Sequence, residues 1–385
     1  MKERVAFIQN VPINDHRMVH TDGVARELVK RGYDVDVIIQ ESDAENQFED
    51  APYEIICVEG ETYSMLGQMK FFCDVLDLLK RKKYDVIHAK NPFSSVLPAL
   101  LRKSGAKVVY DVRGLWVDFG VHAGTIPKVI APFLNKFDVF CMNRADEVIA
   151  ISHELKRILV SRGVEEQQIE VIVGGGVDVE RIRKLENRDI RDFLGIDGKV
   201  VGYVGSIGRS RSSERIIEAF EIVRETSDFN VYLVMVGPLA KGEFEYFKRL
   251  VKKNHFEGSV FFTGFLPHDE VLRFMKSFDV SISYHENNLP IHNVAVPTKI
   301  LEYLAAGCGI VVTDQKMYEN LLTHKKDCYM TRQDPNSFAQ GILSVLKDDE
   351  LTKRISRNAL ITAEKYSFKN ITDQIEEVYK CMLEE

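Results

Sequence analysis

Twice along this chain, short apolar runs of β type alternate with stretches of helical periodicity, and that rhythm leaves few folds available. In the first series residues 5–9 read as a strand, 22–31 as a helix ending at Gly32, and 35–40 as the next strand. Residues 85–88, 107–112 and 147–151 continue the strands, with helical periodicity over 64–83 and 127–143. Around 174–198 the rhythm breaks into a Gly-rich turn, a charged helix-like stretch and another Gly-containing turn, which places a linker there. The second series has strands at 200–204, 231–237, 260–263, 280–284 and 309–313. Residues 367–383 close the chain with Ile371, Ile375, Val378, Cys381 and Met382 at helical spacing. Such β/α alternation predicts doubly wound parallel sheets, whose ligands lie beyond the strand C-termini at a switch point.

At 385 residues the chain is too long for one ordinary core and suits two domains of roughly 150–200 residues. Hydrophobic residues at 45% and charged residues at 28% are the balance of a globular protein with ample core. A net charge of −7 argues against wholesale nucleic-acid binding and leaves room for a small anionic ligand at a local basic patch. The six cysteines form no C-x-x-C pair and no short metal-ligand spacing, which points to a reducing compartment and mostly buried thiols. The opening MKERVAFIQNVPIND is too short for a signal-peptide core, and no apolar run reaches the ~18 residues of a membrane span, so a cytoplasmic protein is expected.

The most informative stretch is HENNLPIHNVAVPTKILEYLAAGCGIVVTD, residues 285–314. A polar loop ends at Pro297, a helix begins near Thr298, and Gly307 closes it before a buried strand. The positive end of such a helix and its free amides stabilise a pyrophosphate. Glu302 lies one turn in, with Lys299 three residues before it on the same face. A carboxylate accepts from two vicinal ribose hydroxyls, and an ammonium suits a phosphate.

This segment resembles the signature of family-four retaining glycosyltransferases in its P-x-K-x-x-E-Y-x-A-x-G form: Pro297, Lys299, Glu302, Tyr303, Ala305, Gly307. Residues 200–220, VVGYVGSIGRSRSSERIIEAF, look like the strand, Gly-rich turn and helix that hold the donor diphosphate. TGFL at 263–266 resembles the turn whose backbone reads the base. ADEVIAIS at 145–152 and VIVGGGVD at 171–178 match the passage between domains. The resemblance implies a GT-B fold, two Rossmann-like doubly wound α/β domains facing a cleft. Residues 1–180 would bind the acceptor and 181–366 the nucleotide-sugar donor, with a C-terminal helix at 367–385 able to return to the first domain.

It further implies Arg211, Lys299 and Glu302 as the catalytic set. Gly205, Ser206, Arg209, Phe265, Leu266, Val294, Ala295, Val296, Pro297 and Thr298 fall on the donor side, and Arg113 and His88 on the acceptor or sugar side. The implied reaction is retaining transfer from a nucleotide-diphosphate sugar to a glycan, lipid or small molecule, with no cofactor and no metal. Three departures stand out. Val294 replaces the first Glu of the family's E-x7-E, Ser206 replaces the usual Arg after Gly205, and Arg211 stands where a Lys is usual. After the strand VVYDV many relatives carry His where this chain has Arg113.

Plainer readings run alongside. Glu302 would be a helix carboxylate paired with Lys299, Arg113 a structural ion pair, and His88 a packed strand-end residue. His285 and His292 divide between ligand contact and solvent exposure. Asp34-Val35-Asp36 has the D-x-D form of a metal site, yet it opens a strand with both carboxylates on one face. Residues 68–83 and 126–142 combine apolar and basic residues in a manner open to peripheral membrane contact, although core packing is the expectation for both. Two rival functions stay open, a nucleotide-sugar epimerase and a non-catalytic sugar-nucleotide-binding protein.

Overall fold

The computed structural model describes residues 3–43, 48, 50–62, 64–102, 105–253, 256–286 and 293–384. The chain divides into two compact units, one of Met1–Gly176, Val294–Val296 and Phe368–Glu385, the other of Val177–Asn293 and Pro297–Ser367. His292 lies outside the described residues.

Unit 1 opens with β1 (Arg4–Ile8), α1 (Met18–Lys30), β2 (Asp34–Gln40), β3 (Glu54–Val58), α2 (Met65–Arg81), β4 (Val86–Ala89) and α3 (Leu97–Leu101). It continues with β5 (Lys107–Val112), α4 (Trp116–His122), α5 (Ala131–Met142), β6 (Glu147–Ala150), α6 (His153–Ser161) and β7 (Ile169–Val171). All its strands pair in parallel in the order β3-β2-β1-β4-β5-β6-β7, so the direction of sheet growth reverses between β1 and β4. α1 starts at Met18, earlier than residue 22, because its first residues Met18, His20 and Thr21 are already buried. No side chain caps it, so the sequence carries no start signal there. β3 escaped the sequence reading because it is a half-exposed edge strand without alternation.

Unit 2 contains α7 (Val179–Lys184), α8 (Ile190–Leu194), β8 (Lys199–Val204), α9 (Ser213–Thr226), β9 (Val231–Val236), α10 (Phe244–Lys253) and β10 (Val260–Gly264). Then come α11 (His268–Met275), β11 (Val280–Ser283), α12 (Thr298–Ala306), β12 (Gly309–Thr313), β13 (Tyr329–Thr331), α13 (Pro335–Lys347) and α14 (Asp349–Lys365). Its strands are also parallel, in the order β10-β9-β8-β11-β12-β13, with the reversal between β8 and β11. Most of the stretch read as a linker, from Val177 onward, is folded into this unit through α7 and α8.

The last helix, α15 (Phe368–Glu384), belongs to unit 1. Ile371, Ile375, Val378, Tyr379 and Met382 share one core with Val24, Ala25, Leu28 and Tyr33. Around that core Arg31 bonds Glu376 at 2.9 Å, and Tyr33 donates to the same carboxylate at 3.2 Å. The Phe368 ring fills the space beside Gly23 and Gly176; a Cβ at either glycine would fall within 2.5 Å of it.

Two expectations need correction. Cys57, Cys73 and Cys381 are exposed and only Cys141, Cys308 and Cys328 are buried, because the first three sit on the outer faces of their elements. Core packing also fails for α5: only Asp138, Cys141 and Met142 of that helix are buried, while Phe133 and Phe140 are exposed. α2 does pack as expected, with Ser64 capping it and Gly67, Phe71, Val75 and Leu79 on its inner face. Asp36 of the D-x-D is buried and accepts from Tyr84 (2.6 Å), Arg4 (3.1 Å) and Lys82 (3.3 Å), a closed structural network.

Truncating Ile375 to Ala in this core is expected to lower unfolding free energy by about 2–5 kcal/mol. Lys380→Ala, which removes only a surface pair with Glu376, should cost less than about 1 kcal/mol. Urea melts of both variants check this, and equal losses would mean that surface charge rather than the core holds α15.

Candidate functional site

In unit 2 the site is built where β8, β10 and β11 end. The Gly-rich turn after β8 begins at Gly205, whose φ of +132° lies in the region that favours glycine. Its carbonyl passes so close to the next βα turn that a Cβ at Gly237 would sit 2.2 Å away. Tyr203 donates to the Ser206 carbonyl at 3.0 Å and fixes the turn from below. Ser206 itself is exposed, as are Arg209 and Arg211.

The two arginines differ in their surroundings. Arg209 is bound to Glu243 through its amide (2.8 Å) and its Nε (3.1 Å), and its guanidinium lies over the Tyr246 ring. Arg211 makes no side-chain hydrogen bond or ion pair among the described residues, and it faces Lys299 closely enough to push that amine down.

Helix α12 supplies the other half. Pro297, extended at ψ 133°, sets its start and Gly307, at φ +69°, its end. Tyr303 pins it at the switch point, its hydroxyl accepting from the Val204 amide at 2.8 Å and donating to the Ile282 carbonyl at 3.3 Å. The first amides of such a helix have no intrahelical acceptor, and Thr298 is exposed. Lys299 folds back so that its Nζ lies 4.0 Å from the Tyr203 ring centroid, beside the Gly205 turn. Burial, and secondarily the Arg211 charge, push its pKa down to about 7.

Lys299 does not pair with Glu302. Glu302 is buried and accepts from His268 Nε2 at 2.8 Å, a hydrogen bond that raises the His268 pKa. His268, the residue after TGFLP, was missed; its only sequence signal was its place beside the turn. Gly264 turns at φ +72° and leaves Phe265 exposed and Leu266 half-buried. Thus Gly205, Ser206, Arg211, Pro297, Thr298, Lys299, Glu302 and the Phe265 turn belong to one unit, and among the described residues no carboxylate pairs with Arg211 or Lys299.

The remaining expected residues divide between the two units. Val294, Ala295 and Val296 belong to unit 1, where Ser152 donates to the Val294 carbonyl at 2.6 Å and both valines are buried. His88 is buried against Phe7, and Arg113 faces Asp111 at 3.5 Å, also in unit 1. The His285 amide donates to Thr313 at 2.9 Å, and the residue is half-buried. Among the described residues no three His, Cys, Asp or Glu side chains converge as a metal site.

Two family profiles match the chain, glycosyl transferases group 1 over residues 186–361 and glycosyltransferase family 4 over 19–181. The chain is a family-four, group-1 glycosyltransferase. Among its relatives, the capsular polysaccharide biosynthesis glycosyltransferase CapM of Staphylococcus aureus is 21% identical over 93% of this chain and 92% of its own. A UDP-Gal:alpha-D-GlcNAc-diphosphoundecaprenol alpha-1,3-galactosyltransferase of Escherichia coli is 20% identical over 99% and 98%. Among solved structures, Anabaena HepE in complex with UDP and glucose gives a TM-score of 0.75 at 19% identity, covering 99% of this chain and 100% of that one. WaaG, a glycosyltransferase of lipopolysaccharide biosynthesis, gives 0.70 at 16% identity, covering 97% and 99%. With its two parallel-sheet units, this glycosyltransferase has the GT-B fold.

Lys299 yields a stability prediction. Its pKa is lowered from 10.5 to about 7 on folding, so between those values the unfolded chain binds more protons and stability rises with pH. The contribution is full above the unfolded value and lost as pH falls to about 7. The stability difference between wild type and Lys299→Met should therefore shift in favour of wild type from pH 7 to pH 10. A difference that stays flat in urea titrations across that range would contradict it.

Proposed function

We propose that this glycosyltransferase transfers a sugar, with retention, from a nucleotide-diphosphate sugar to a glycan, glycolipid or small-molecule acceptor, without a metal. The observation that carries the reading is that Arg211 of the turn after β8 faces Lys299 in the first turn of α12, with no carboxylate paired to either among the described residues. Charge that develops on a leaving diphosphate is stabilised by fixed cations and helix-end amides that need no reorganisation. Glu302, oriented by His268, takes the ribose hydroxyls, and the backbone at Phe265 and Leu266 takes the base. The HepE structures contain UDP and UDP-glucose, which makes UDP-sugars the first donors to try beside GDP- and ADP-sugars in a thermal-shift screen.

Arg211→Ala is expected to weaken binding of the matching nucleoside diphosphate by about 1–3 kcal/mol and leave nucleoside binding unchanged. Arg209→Ala should change neither, because its guanidinium already serves Glu243. Calorimetry with both ligands checks this; equal losses for both ligands in Arg211→Ala would assign that residue to loop shape.

Turnover of the donor and acceptor found by screening should persist in excess chelator. Activity that disappears and returns with Mg²⁺ or Mn²⁺ would overturn the metal-free reading. Donor alone should release nucleoside diphosphate or stay intact; formation of an epimer would favour the epimerase.

A peripheral membrane contact is proposed through unit 1. Val129 and Phe133 are 77% and 73% exposed, Lys128 and Lys136 flank them, and Met65 and Leu66 of α2 are also open. Apolar wedges beside lysines fit an anionic bilayer. Co-sedimentation with vesicles rich in phosphatidylglycerol should fall at least fivefold in Val129→Ser/Phe133→Ser, and equal sedimentation would remove this face from the contact.

A further inference from the structure

Next to the switch point of unit 1, where β4 and β5 end, four basic side chains crowd one carboxylate. Asp111 is 2% exposed. Its Oδ2 lies 3.4 Å from His88 Nε2, 3.6 Å from His20 Nε2 and 3.9 Å from Lys90 Nζ, and its Oδ1 is 3.5 Å from Arg113. Asp111 Oδ2, His20 Nε2 and His88 Nε2 are buried, and their mutual contacts are longer than ordinary hydrogen bonds. Against the effect of burial, Arg113, the two histidines and Lys90 hold the Asp111 carboxyl well below the usual carboxylate range. This differs from Asp36, whose buried carboxylate is closed by three donors.

The far side of the cluster is tightly built. His20 Nδ1 lies 2.6 Å from the Gly175 carbonyl and His88 Nδ1 2.7 Å from the Tyr379 hydroxyl, while Lys90 donates to Thr21 at 2.6 Å. Burial drives the His20 pKa down to about 3 and lowers that of His88, which favours the uncharged form of both rings. With Lys90 protonated, Lys90 and Arg113 outweigh Asp111 by one positive charge. Burial also pushes Lys90 down to about 7, so a nearby anion would stabilise its charged form. Access is through the cations, since the side chains of Lys90 and Arg113 are 13% and 24% exposed and those of His88 and Asp111 at most 1%.

We propose that Lys90 and Arg113 form an oxyanion site for a phosphoryl group, with Asp111 as the residue that positions them and His20 as the polar wall. A phosphate suits the site because a guanidinium fork and an ammonium together address several oxygens of one anion. A phosphoryl group borne by the acceptor and the diphosphate of a nucleotide share this chemistry. The proposal does not depend on the donor site of unit 2.

The test is a titration of the full chain, with its histidine rings isotope-labelled, against glycerol phosphate, inorganic pyrophosphate and UDP separately, read by NMR. Saturable shifts of the His20 and His88 signals are expected, weakened at least tenfold in Lys90→Met and in Arg113→Gln. Shifts with glycerol phosphate assign the site to an acceptor phosphate; shifts with UDP and not with glycerol phosphate assign it to the nucleotide. Silence of both rings with all three ligands, or shifts that survive both substitutions, would overturn the site. If Lys90→Met fails to fold, the more exposed Arg113→Gln decides alone. A wild type that fails to bind any nucleotide yet shows the glycerol phosphate response refutes the donor reading and leaves this site standing.

Discussion

Parallel strand pairing is the constraint on which everything else rests. A parallel pair cannot be closed by a tight turn, so each strand is followed by a crossover that returns the chain to the same end of the sheet. Every βα turn therefore emerges at the carboxyl edge. With both sheets covered on both faces, as the buried runs in β4, β11 and β12 show, charged groups other than Asp36 and Asp111, which basic side chains surround, have little place in the strand interiors. They collect at the strand ends: Lys90 and Arg113 in unit 1, the Gly205 turn and the start of α12 in unit 2. Where sheet growth reverses, neighbouring crossovers diverge and leave a crevice.

Buried charge behaves in two ways here. Removing an ion from water costs several kcal/mol unless pairing and hydrogen bonds replace its hydration. Asp36 meets that condition, with Tyr84, Arg4 and Lys82 around one oxygen. Lys299 does not, since its ammonium has an aromatic face and a neighbouring arginine in place of a carboxylate. A cation held in that state gains more from an arriving anion than a paired one would, because no existing partner has to be displaced. Arg209 is the counterexample within the same turn, already committed to Glu243.

Unit 1 depends on residues from opposite ends of the chain. Arg31 and Tyr33 meet Glu376, and His88 meets Tyr379. The apolar stripe of α1 would be open to water without α15, so closing the first core requires residues more than 300 positions further along the chain. Gly23 and Gly176 mark the same docking from the other side, since neither position has room for a Cβ beside Phe368.

The order of strands and helices was legible because burial in a parallel sheet demands continuous apolar runs, and helices on its faces demand a 3.6-residue stripe; both are properties of local sequence. The motif around Lys299 and Glu302 was legible for a similar reason, as Pro297 and Gly307 mark the ends of a helix wherever it packs. Edge strands β3 and β13 were not, since a short half-exposed strand has no pattern that distinguishes it from loop. The partners of individual side chains were decided only by the tertiary structure. Helical spacing suggested Lys299 with Glu302, yet the fold brings Tyr203 under the lysine and His268 onto the carboxylate, from strands and turns far away in sequence. The same holds for Asp111, which reads as one more strand residue until the fold sets His20 of α1 and His88 and Lys90 of β4 and its turn beside it, next to its own neighbour Arg113. Sequence spacing fixes which face of an element a residue occupies, while the charge it meets there depends on which other elements the sheet order places alongside.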